Sequence, residues 1–473
     1  MIQQLDRRFA VAVPAMITLL VGGFQLGRAP LWRDELATWS AATRPLGDLW
    51  HMLSSIDAVS GPYYLFMHGW ITVFGDSAVA LRLPSLLAMA GAAAVTSVLG
   101  ARLAGPRTGL VAGLLFAVAP STSRYGQEAR GYAFATLFAI VATLLLLRAF
   151  DRPTIRRFAL YGLALVGLGL ANLVALLLVA GHAAGPLRWR RRGPALGWAA
   201  AVAGAGVLLS PLALLGRGQR GTQLDWVPTP GLGDLVNLPG SVLQTGAVGG
   251  TLVVLAALGW ARSRGAASVL ALSVVVPAVL LFVGGRLGPL WVPRYLAFTV
   301  PLLCVLAAVA LRGIRLPAAV AIVAVVAALG APAQADLRRT HEWPRSAPVD
   351  YPAAVAVIRA NRHPGDGIVY EPRAGWKMLD VAVAYGLGRD APRDVLLAQS
   401  ADDRGELRPA ECADQAACLA RAGADRVWLL AYGDAPDPLS TLPGPKGAAL
   451  RADYKTAQTW HKPGLTVSLL TRA

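Results

Sequence analysis

Residues 266–284 read AASVLALSVVVPAVLLFVG, a run of 19 residues without a charged side chain. A helix on the surface of a soluble protein has one apolar and one polar face, but this run is apolar on all sides. A helix needs about 20 such residues to cross the hydrocarbon core of a bilayer. The run therefore predicts a transmembrane helix.

Similar apolar blocks recur along the chain and are separated by short loops that carry arginine. Of the 473 residues, 55% are hydrophobic and 15% are charged, and the mean hydropathy is +0.51. A soluble protein of this size carries more charge on its surface. We therefore predict a polytopic α-helical membrane protein. The other blocks lie at 9–27, 63–75, 83–101, 108–120, 132–149, 158–170, 172–187, 195–215, 241–260, 295–311 and 316–332.

The net charge of +17 raises the question of nucleic-acid binding. The excess lies in residues 1–335, which hold 26 Arg and 10 acidic residues, whereas residues 336–473 hold 18 basic and 17 acidic residues. Most of the excess arginines stand in short loops between apolar blocks, as the positive-inside rule predicts for cytoplasmic loops. This distribution argues against binding to a phosphate backbone, and we expect no nucleic-acid partner.

The arginine-rich loops also predict the topology. All of them can face the cytoplasm only if the 13-residue block at 63–75 does not span the membrane but lies in the interface or re-enters. We therefore predict about eleven transmembrane helices, with the N-terminus inside and the C-terminal domain outside. The loops are Asp6 to Arg8, Arg102 to Arg107, Arg152 to Arg157, Arg188 to Arg192, Arg262 to Arg264 and Arg312 to Arg315.

In this topology most acidic residues of the membrane part fall on the outer face, which is where we expect the chemistry. The apolar first block has no cleavage site of small residues and predicts a retained first helix. The outer acidic residues are Asp34, Glu35, Asp48, Asp57, Asp76, Glu128, Asp225 and Asp234, and only Asp6 and Asp151 are predicted inside.

Residues 336–473 differ from the rest, because short strand-like runs alternate with helical ones. This alternation predicts a small α/β domain, distinct from a transmembrane domain at 1–335. No glycine pattern typical of phosphate binding occurs in it, so its expected role is capping or recognition of an acceptor. Helices are predicted at 353–360, 381–387 and 411–422, and strands at 367–370, 395–398, 427–431 and 465–470.

The three cysteines predict no zinc site. Cys304 lies inside an apolar run and reads as a small buried hydrophobic residue. Cys412 and Cys418 are six residues apart, with no cluster of Cys or His nearby. If their domain lies outside the cytoplasm, a local disulfide between them is expected.

The run Trp32-Arg33-Asp34-Glu35 follows the first apolar block and carries two adjacent carboxylates. On an extended or turning loop, neighbouring side chains point in different directions, so the pair suits two roles. One carboxylate can accept a proton while the other binds a metal or orients a partner. The alternative is a solvated pair of acidic residues at a membrane surface.

Two further polar stretches stand at helix junctions on the predicted outer face. Residues 123–132 read SRYGQEARGY, and polar residues this dense are costly near lipid unless they line a cavity. Arg124 and Arg130 flank Glu128, which suggests a phosphate site with a positioned carboxylate or, alternatively, a structural ion-pair cluster. Residues 289–295 read PLWVPRY, and Arg294 could reach a lipid-linked phosphate or simply snorkel to headgroups.

Several of these motifs, in this order, resemble glycosyltransferase family 39, which includes protein O-mannosyltransferases and aminoarabinose transferases of lipid A. The resemblance covers about residues 10–330 and implies the C-type membrane glycosyltransferase fold. It is weak in the C-terminal α/β domain. The matching stretches are Trp32 to Glu35, Gly61 to Tyr64, Gly75 to Ser85, Tyr125 to Tyr132, and Arg294-Tyr295.

The resemblance implies an inverting transfer of a sugar from a polyprenyl-phosphate donor to an acceptor hydroxyl, on the outer face of the cytoplasmic membrane. Asp34 matches the aspartate that serves as the base, Glu35 its acidic neighbour, and Glu128 the carboxylate of the second loop. We expect the donor phosphate to be bound by Arg124, Arg130, Arg294 and Tyr295. Supporting residues of the motifs are Arg82, Tyr63, Tyr64, His68 and Gln127.

Many relatives have His-Pro-Pro where this chain has Ser60-Gly61-Pro62, so a divalent metal is left open and no other cofactor is expected. The sugar, mannose or a pentose, and the acceptor, a glycan, lipid or protein, also stay open. A transporter or flippase of lipid-linked sugar is the main alternative, although the helix interiors carry almost no charge. A catalytically silent lipid-binding relative is the second.

Overall fold

A computed structural model of the chain describes residues 2–185, 192–224, 226–263, 265–342, 344–373 and 375–473. The chain folds as two compact units. Unit one comprises Met1–Gly27, Asp57–Phe66 and Phe74–Arg338. Unit two comprises Arg28–Ile56, Met67–Val73 and Arg339–Ala473, so the segment that follows the first apolar block groups with the C-terminal residues. The predicted division at residue 335 stays a prediction.

Helices make up most of the described chain. In chain order they are α1 (Ile2–Gly23), α2 (Arg33–Ala42), α3 (Leu46–Ser55), α4 (Gly61–Phe74), α5 (Ala78–Ala104), α6 (Pro106–Val118), α7 (Pro120–Gly126), α8 (Tyr132–Asp151), α9 (Ile155–Ala171), α10 (Leu178–His182), α11 (Arg192–Gln223), α12 (Leu232–Leu243), α13 (Gly246–Arg262), α14 (Ala266–Leu287), α15 (Val300–Ala310), α16 (Leu316–Leu337), α17 (Tyr351–Asn361), α18 (Leu379–Leu387), α19 (Gln415–Ala422), α20 (Pro438–Thr441) and α21 (Gly444–Asp453). Short 3₁₀ helices cover Ala58–Ser60, Leu173–Leu177, Pro293–Thr299 and Gly388–Asp390.

Unit one contains the apolar helices. Within the described residues, six helical segments are long and apolar enough to cross a membrane, and α12 with α13 adds a seventh if the bent pair counts as one span. Helix α4, at the block predicted not to span, is not among them. The predicted number of eleven spans and the predicted orientation stay predictions. The six are Ala78–Ala104, Tyr132–Asp151, Gly193–Gly221, Ala266–Leu287, Pro293–Ala310 and Leu316–Leu337.

The block at 241–260, which we predicted as a single helix, is broken. It covers the end of α12 and most of α13, which meet at 97°, and Gln244 between them has the left-handed φ of 69°. Hydropathy does not detect this break, since the flanking residues are equally apolar. The block at 172–187 begins with a 3₁₀ helix, and the side chain of Asn172, its first residue, accepts the backbone N–H of Val174 at 2.9 Å.

Small residues allow the helices of unit one to pack closely. Gly109 of α6 faces the backbone of α5, where a Cβ atom would collide with the Ser97 carbonyl and with Ala101. A single large core of buried residues runs through α5, α6, α8, α13 and α15. Packing of small residues is the usual way in which membrane helices associate, because lipid offers no hydrophobic driving force.

Unit two contains the β-strands of the described chain, which are β1 (Gly367–Glu371), β2 (Arg393–Asp394), β3 (Leu397–Gln399), β4 (Ala410–Glu411), β5 (Arg426–Tyr432), β6 (Tyr454–Lys462) and β7 (Leu465–Arg472). Five of them form a mixed sheet with the order β2-β1-β5-β7-β6, and β3 and β4 form a separate antiparallel pair. Strands β2, β1 and β5 are parallel, and β7 pairs antiparallel with β5 and β6. The core of the sheet includes Val369, Leu429 and Leu470, one from each of three neighbouring strands.

The structure confirms the predicted α/β character of residues 336–473 and corrects details. The predicted strand at 395–398 is interrupted, because Asp394 accepts the N–H of Leu396 in a turn between β2 and β3. The predicted helix at 411–422 begins only at Gln415, where Asp414 caps it. Strand β6 was not predicted, since its sequence is largely polar.

Cys412 and Cys418 form a disulfide, with Cα atoms 6.5 Å apart, and Cys304 is a buried free thiol.

Some predictions fall on positions that the structure does not describe. The arginines at 188–191 of one predicted cytoplasmic loop, Asp225 and Arg264 lie outside the described residues.

Candidate active site

The polar stretch at 123–132 lies in unit one and connects two helices. Helix α7 ends at Gly126, a short turn follows, and α8 begins at Tyr132. Gly131 is required in this turn, because a Cβ atom there would collide with the Ala171 carbonyl. The close approach holds the turn against the end of α9 and directs its side chains inward.

Arg124 and Glu128 form a buried ion pair within this stretch. Arg124 Nη2 lies 3.6 Å from Glu128 Oε2, and the side chains are 9% and 1% exposed. A buried carboxylate is costly unless it is paired, so each of the two side chains requires the other in this place. The predicted pairing of Glu128 with a flanking arginine is therefore present, and it involves Arg124.

Arg294 joins the same cluster from the 3₁₀ helix Pro293–Thr299. Its Nε donates to the Tyr132 hydroxyl at 3.0 Å, and its guanidinium lies over the Trp226 ring, 5.7 Å from the ring centroid. The Tyr132 ring stands between those of Tyr125 and Tyr295, with centroids 5.5 and 6.4 Å away. Cation–π contacts hold a guanidinium without neutralising its charge, so Arg294 can still attract an anion.

Tyr125 connects the two parts of this cluster. Burial raises the pKa of its phenol far above the ordinary value, and the negative charge of Glu128 adds to the shift. Arg124 and Arg294 both act in the opposite direction, so both cations lie within electrostatic reach of this phenol. Tyr125 therefore stays protonated and can donate a hydrogen bond.

Arg130 and Tyr64 belong to a second chain of polar contacts in unit one. Arg130 Nη1 donates to the Tyr64 hydroxyl at 3.0 Å, and Tyr64 in turn hydrogen-bonds to Asp57. Burial and then Asp57 raise the pKa of Tyr64, so the phenol is neutral and donates to that carboxylate. Tyr63, the neighbouring motif residue, packs its ring edge-on against Phe134 at 6.0 Å.

Arg82 and Gln127 bind backbone carbonyls just after α1. Arg82 is fully buried and its Nη1 donates to the Leu26 carbonyl at 2.8 Å. Gln127 Nε2 donates to the carbonyls of Gly22 and Phe24 at 2.7 and 3.1 Å. Carbonyls at a helix C-terminus lack partners within the helix, and these two side chains satisfy them. Both motif residues therefore have a structural role.

Asp34 and Glu35 lie in unit two, in the first turn of α2. The loop that we predicted at this place is wrong, because the backbone is helical from Arg33. Two acidic residues in a first turn favour a helix, since they face its positive end, and Glu35 accepts the N–H of Trp32 at 3.4 Å. Glu35 is fully buried, and its Oε2 lies 3.7 Å from His341 Nδ1.

Glu342 is the neighbour of Asp34 that the sequence did not reveal. It accepts the backbone N–H of Arg33 at 3.4 Å, and its Oε2 lies 3.9 Å from Arg33 Nε. Burial raises the pKa of the Glu342 carboxyl, Arg33 opposes the shift, and Asp34 adds to it. Lys377 also lowers the pKa of Glu342, so Arg33, Asp34 and Lys377 all lie within electrostatic reach of this carboxyl.

His68 also belongs to unit two, where its Nδ1 forms a hydrogen bond of 2.9 Å with the Ala42 carbonyl at the end of α2. Its contact is thus with backbone, as for a residue that holds a helix end in place. We assign it a supporting position.

The sequence leaves a divalent metal open, and the described residues offer no site of the zinc type. Among the described residues, no group of three or more His, Cys, Asp or Glu side chains is arranged to hold one. Ser60 stands where many relatives have histidine, and its hydroxyl donates to Asp57 at 2.9 Å. Protein zinc sites use at least three protein ligands. No step proposed below passes through a metal.

The sequence did not single out several residues of these two clusters. Tyr132 and Trp226 hold Arg294 in unit one, and His341, Glu342 and Lys377 surround the first turn of α2 in unit two. For the second cluster, the local sequence signal was the polar run Thr340-His341-Glu342, which follows the end of α16. The role of this run depends on residues far away in the sequence, since Glu342 contacts Arg33, 309 residues earlier.

Comparison with known proteins defines the class. Residues 62–212 match the family described as dolichyl-phosphate-mannose-protein mannosyltransferase. The crystal structure of ArnT from Cupriavidus metallidurans in the apo state is similar, with a TM-score of 0.57, 16% identity and 97% of each chain covered. ArnT bound to undecaprenyl phosphate gives a TM-score of 0.54 at 15% identity, again over 97% of each chain.

The arabinofuranosyltransferase AftD from Mycobacteria has a TM-score of 0.53 at 17% identity, over 98% of this chain and 41% of the AftD chain. No curated protein sequence matches significantly. The chain thus has the C-type membrane glycosyltransferase fold, and the predicted resemblance to glycosyltransferase family 39 is confirmed. At these identities the similarity establishes the fold, and the activity has to be argued from the residues.

Proposed function

We propose that the protein is an inverting glycosyltransferase that transfers a sugar from a polyprenyl-phosphate donor to an acceptor hydroxyl, on the outer face of the cytoplasmic membrane. The observation that carries this proposal is the cluster of Arg124, Glu128, Tyr132 and Arg294 in the apolar unit. It combines cations with hydrogen-bond donors among membrane-type helices. That is the chemistry required by a phosphate attached to a lipid.

On the donor side, the leaving group is a polyprenyl phosphate that gains negative charge as the bond to the sugar breaks. Arg294 and Arg130 are half-buried cations that contact the phenols of Tyr132 and Tyr64. Preorganised cations stabilise developing charge more strongly where water is excluded. Tyr295 adds an aromatic ring beside Tyr132. Arg124 is neutralised by Glu128, so we assign this pair a positioning role and give Arg124 the weakest claim to the phosphate.

On the acceptor side, a hydroxyl group is a poor nucleophile until its proton is removed. Asp34 is half-buried near the N-terminus of α2, and we assign it as the general base. As the acceptor oxygen bonds to C1 of the sugar, its proton passes to the Asp34 carboxylate. The bond from C1 to the phosphate oxygen breaks, and its electron pair leaves with the polyprenyl phosphate. One displacement from the face opposite the leaving group inverts C1.

Glu35 receives a different assignment from its neighbour. It is fully buried, caps α2 and lies beside His341, so it positions the turn that carries Asp34 and has no access to substrate. The remaining residues of the motifs likewise support the surrounding backbone or the arginines, and they are Arg82, Gln127, Tyr63, Tyr64 and His68.

The fold leaves the sugar and the acceptor open, and the comparisons suggest candidates only. The matched family is named for mannose transfer and AftD for arabinofuranose transfer, so mannose and a pentose are the first donors to test. Candidate acceptors are a glycan of the cell envelope, a lipid or a protein.

Transport or flipping of a lipid-linked sugar was the alternative. The two polar residues that stand out in the middle apolar blocks have internal partners, since His182 hydrogen-bonds to Thr143 and Tyr161, both at 3.0 Å, and Asn172 caps a backbone N–H. A transporter would instead direct such groups towards a permeation path. These contacts favour the enzyme.

The test is release of polyprenyl phosphate from a labelled polyprenyl-phosphate sugar by the purified protein, with and without a membrane extract that contains acceptors. We expect release that depends on the extract. Asp34→Asn keeps the shape but cannot accept the proton, and we expect a loss of about 10²–10⁴-fold in rate. Donor binding and the thermal unfolding midpoint should stay close to wild type.

Asp48→Asn is the matched control, because Asp48 is an acidic residue in the first turn of the neighbouring helix α3. Its rate should match that of the wild type. Full activity in Asp34→Asn would refute the assignment of the base, and release without any acceptor would refute transfer as the reaction.

A further inference from the structure

The carboxyl ends of β1 and β5 form a surface in unit two that the proposed catalytic groups do not use. These strands are parallel neighbours, and Glu371 at the end of β1 pairs with Ala431 near the end of β5. Ligands of open α/β sheets bind beyond such carboxyl ends. Four residues here, which we call the aromatic edge, are Trp376, Lys377, Arg408 and Tyr432.

The aromatic edge contains two pairs of a cation and a ring. Lys377 Nζ lies 3.7 Å from the centroid of the Tyr432 ring, and the Arg408 guanidinium lies 4.8 Å from that of Trp376. Tyr432 is 39% exposed, and Trp376 is half-buried. Rings held in place by cations are more ordered than rings on a mobile loop, and such ordering lowers the cost of binding.

Packing within unit two connects this edge to the helix that carries Asp34. Trp39 of α2 packs edge-on against Tyr385 of α18, with ring centroids 5.2 Å apart. Helix α18 begins two residues after Lys377. The Lys377 carbonyl accepts a hydrogen bond of 2.7 Å from the Tyr351 hydroxyl, and burial raises the pKa of this phenol, which therefore stays protonated.

We propose that the aromatic edge is the acceptor subsite and that the acceptor it takes is a carbohydrate. This inference rests on the proposed function, since it names the acceptor of that reaction. A sugar ring has an apolar face of C–H groups and a rim of hydroxyls. The exposed ring of Tyr432 and the half-buried ring of Trp376 match the face, and Lys377 with Arg408 can donate hydrogen bonds to the rim.

The other acceptor classes fit this edge less well. An extended peptide would pair with the edge strand of a sheet, and the edge strand beside β1 is β2, only two residues long. The longer edge strand, β6, lies at the opposite side of the sheet from the Lys377–Tyr432 and Trp376–Arg408 pairs. An acyl chain would need a broad apolar surface, whereas cations stand over both rings here. Peptide and glycolipid acceptors are therefore the alternative outcomes of the test.

The test measures acceptor binding without turnover, in the purified full chain that carries Asp34→Asn. The probes are a mannohexaose, a pentaarabinofuranoside, a serine- and threonine-rich peptide, and lipid A in micelles. We expect an oligosaccharide to bind and Tyr432→Ala to weaken it about tenfold, with Lys377→Gln weakening it about threefold or more. Tyr432→Phe keeps the ring and should bind within about twofold of the parent.

Lys455→Gln is the matched control for charge, because Lys455 is exposed on β6 at the opposite side of the sheet. It should leave binding unchanged. Equal binding in Tyr432→Ala and its parent, binding of the peptide or lipid A alone, or no binding of either oligosaccharide would overturn the proposal. A different outcome would separate the two proposals. If oligosaccharide binding depends on Tyr432 but the wild-type protein releases no polyprenyl phosphate, the proposed function is overturned and the glycan-binding site stands.

Discussion

Two arginines of the matched motifs, Arg82 and Arg294, have different roles because their surroundings differ. Arg82 is fully buried and donates to a backbone carbonyl, whereas Arg294 is half-buried, donates to a phenol and lies over an indole ring. A half-buried arginine beside aromatic rings can reach a ligand. One that is enclosed by backbone contributes to stability. Replacement by glutamine should therefore lower the reaction rate at position 294 and the stability of the protein at position 82.

Arg294→Gln should lower kcat/KM for the polyprenyl-phosphate donor by about 10²-fold, because removal of one charge-assisted contact to a phosphate costs roughly 1.5–3 kcal/mol. The measurement is initial rate against donor concentration at saturating acceptor.

Arg286→Gln is the control, since Arg286 is an exposed arginine of α14 that donates to the Pro230 carbonyl. It should leave the donor kinetics unchanged. Equal effects of the two variants would remove Arg294 from the phosphate site.

At the scale of elements, the end of α1 is held by side chains from three other parts of unit one. Arg82 from α5 and Gln127 from the turn after α7 bind carbonyls at the end of α1 and just beyond it. Arg338, which follows α16, donates to the Val21 carbonyl at 2.7 Å. Such a helix end exposes unsatisfied carbonyls, so the partners replace water that the apolar surroundings exclude.

Arg82→Gln should therefore destabilise the protein by about 1–3 kcal/mol, because a buried carbonyl loses its donor. The measurement is the thermal unfolding midpoint in detergent, which should fall clearly below that of the wild type. Arg107→Gln, at an exposed arginine of α6, should leave the midpoint in place. If Arg82→Gln retained the wild-type midpoint but lost activity, Arg82 would belong to the substrate site instead.

At the scale of the whole molecule, the disulfide bears on the predicted orientation. Disulfides persist in oxidising compartments and are rare in the cytosol. The pairing of Cys412 with Cys418 therefore agrees with the predicted placement of the C-terminal residues outside the cytoplasm. Cys304, buried among apolar helices, has no such partner among the described residues.

We expect Cys412 and Cys418 to be oxidised in intact cells. Labelling of the denatured protein with a maleimide of high mass should shift one thiol, Cys304, without reductant and three thiols after reduction. Cys304→Ser should show no shift before reduction and serves as the control. Three reactive thiols without reductant, in protein trapped under acid, would contradict the outward placement of this domain.

Part of the fold could be predicted from local patterns. The apolar blocks indicated the membrane class, and β1, β5 and β7 were predicted because a short apolar run in a polar chain has few other meanings. The predictions failed where one side chain decides the backbone. Asp394 interrupts the predicted strand at 395–398, and Glu35 extends a helix into the predicted loop.

Composition and periodicity were enough to indicate a polytopic membrane protein with an α/β region in residues 336–473, because both are local properties of the chain. The order of the motifs also indicated Asp34, Glu128 and Arg294 as residues of interest. What each of them touches became known only from the folded chain. Tyr132 is 162 residues from Arg294, and Glu342 is 309 residues from Arg33. Contacts over such separations depend on how helices pack, and they leave no pattern in either local sequence.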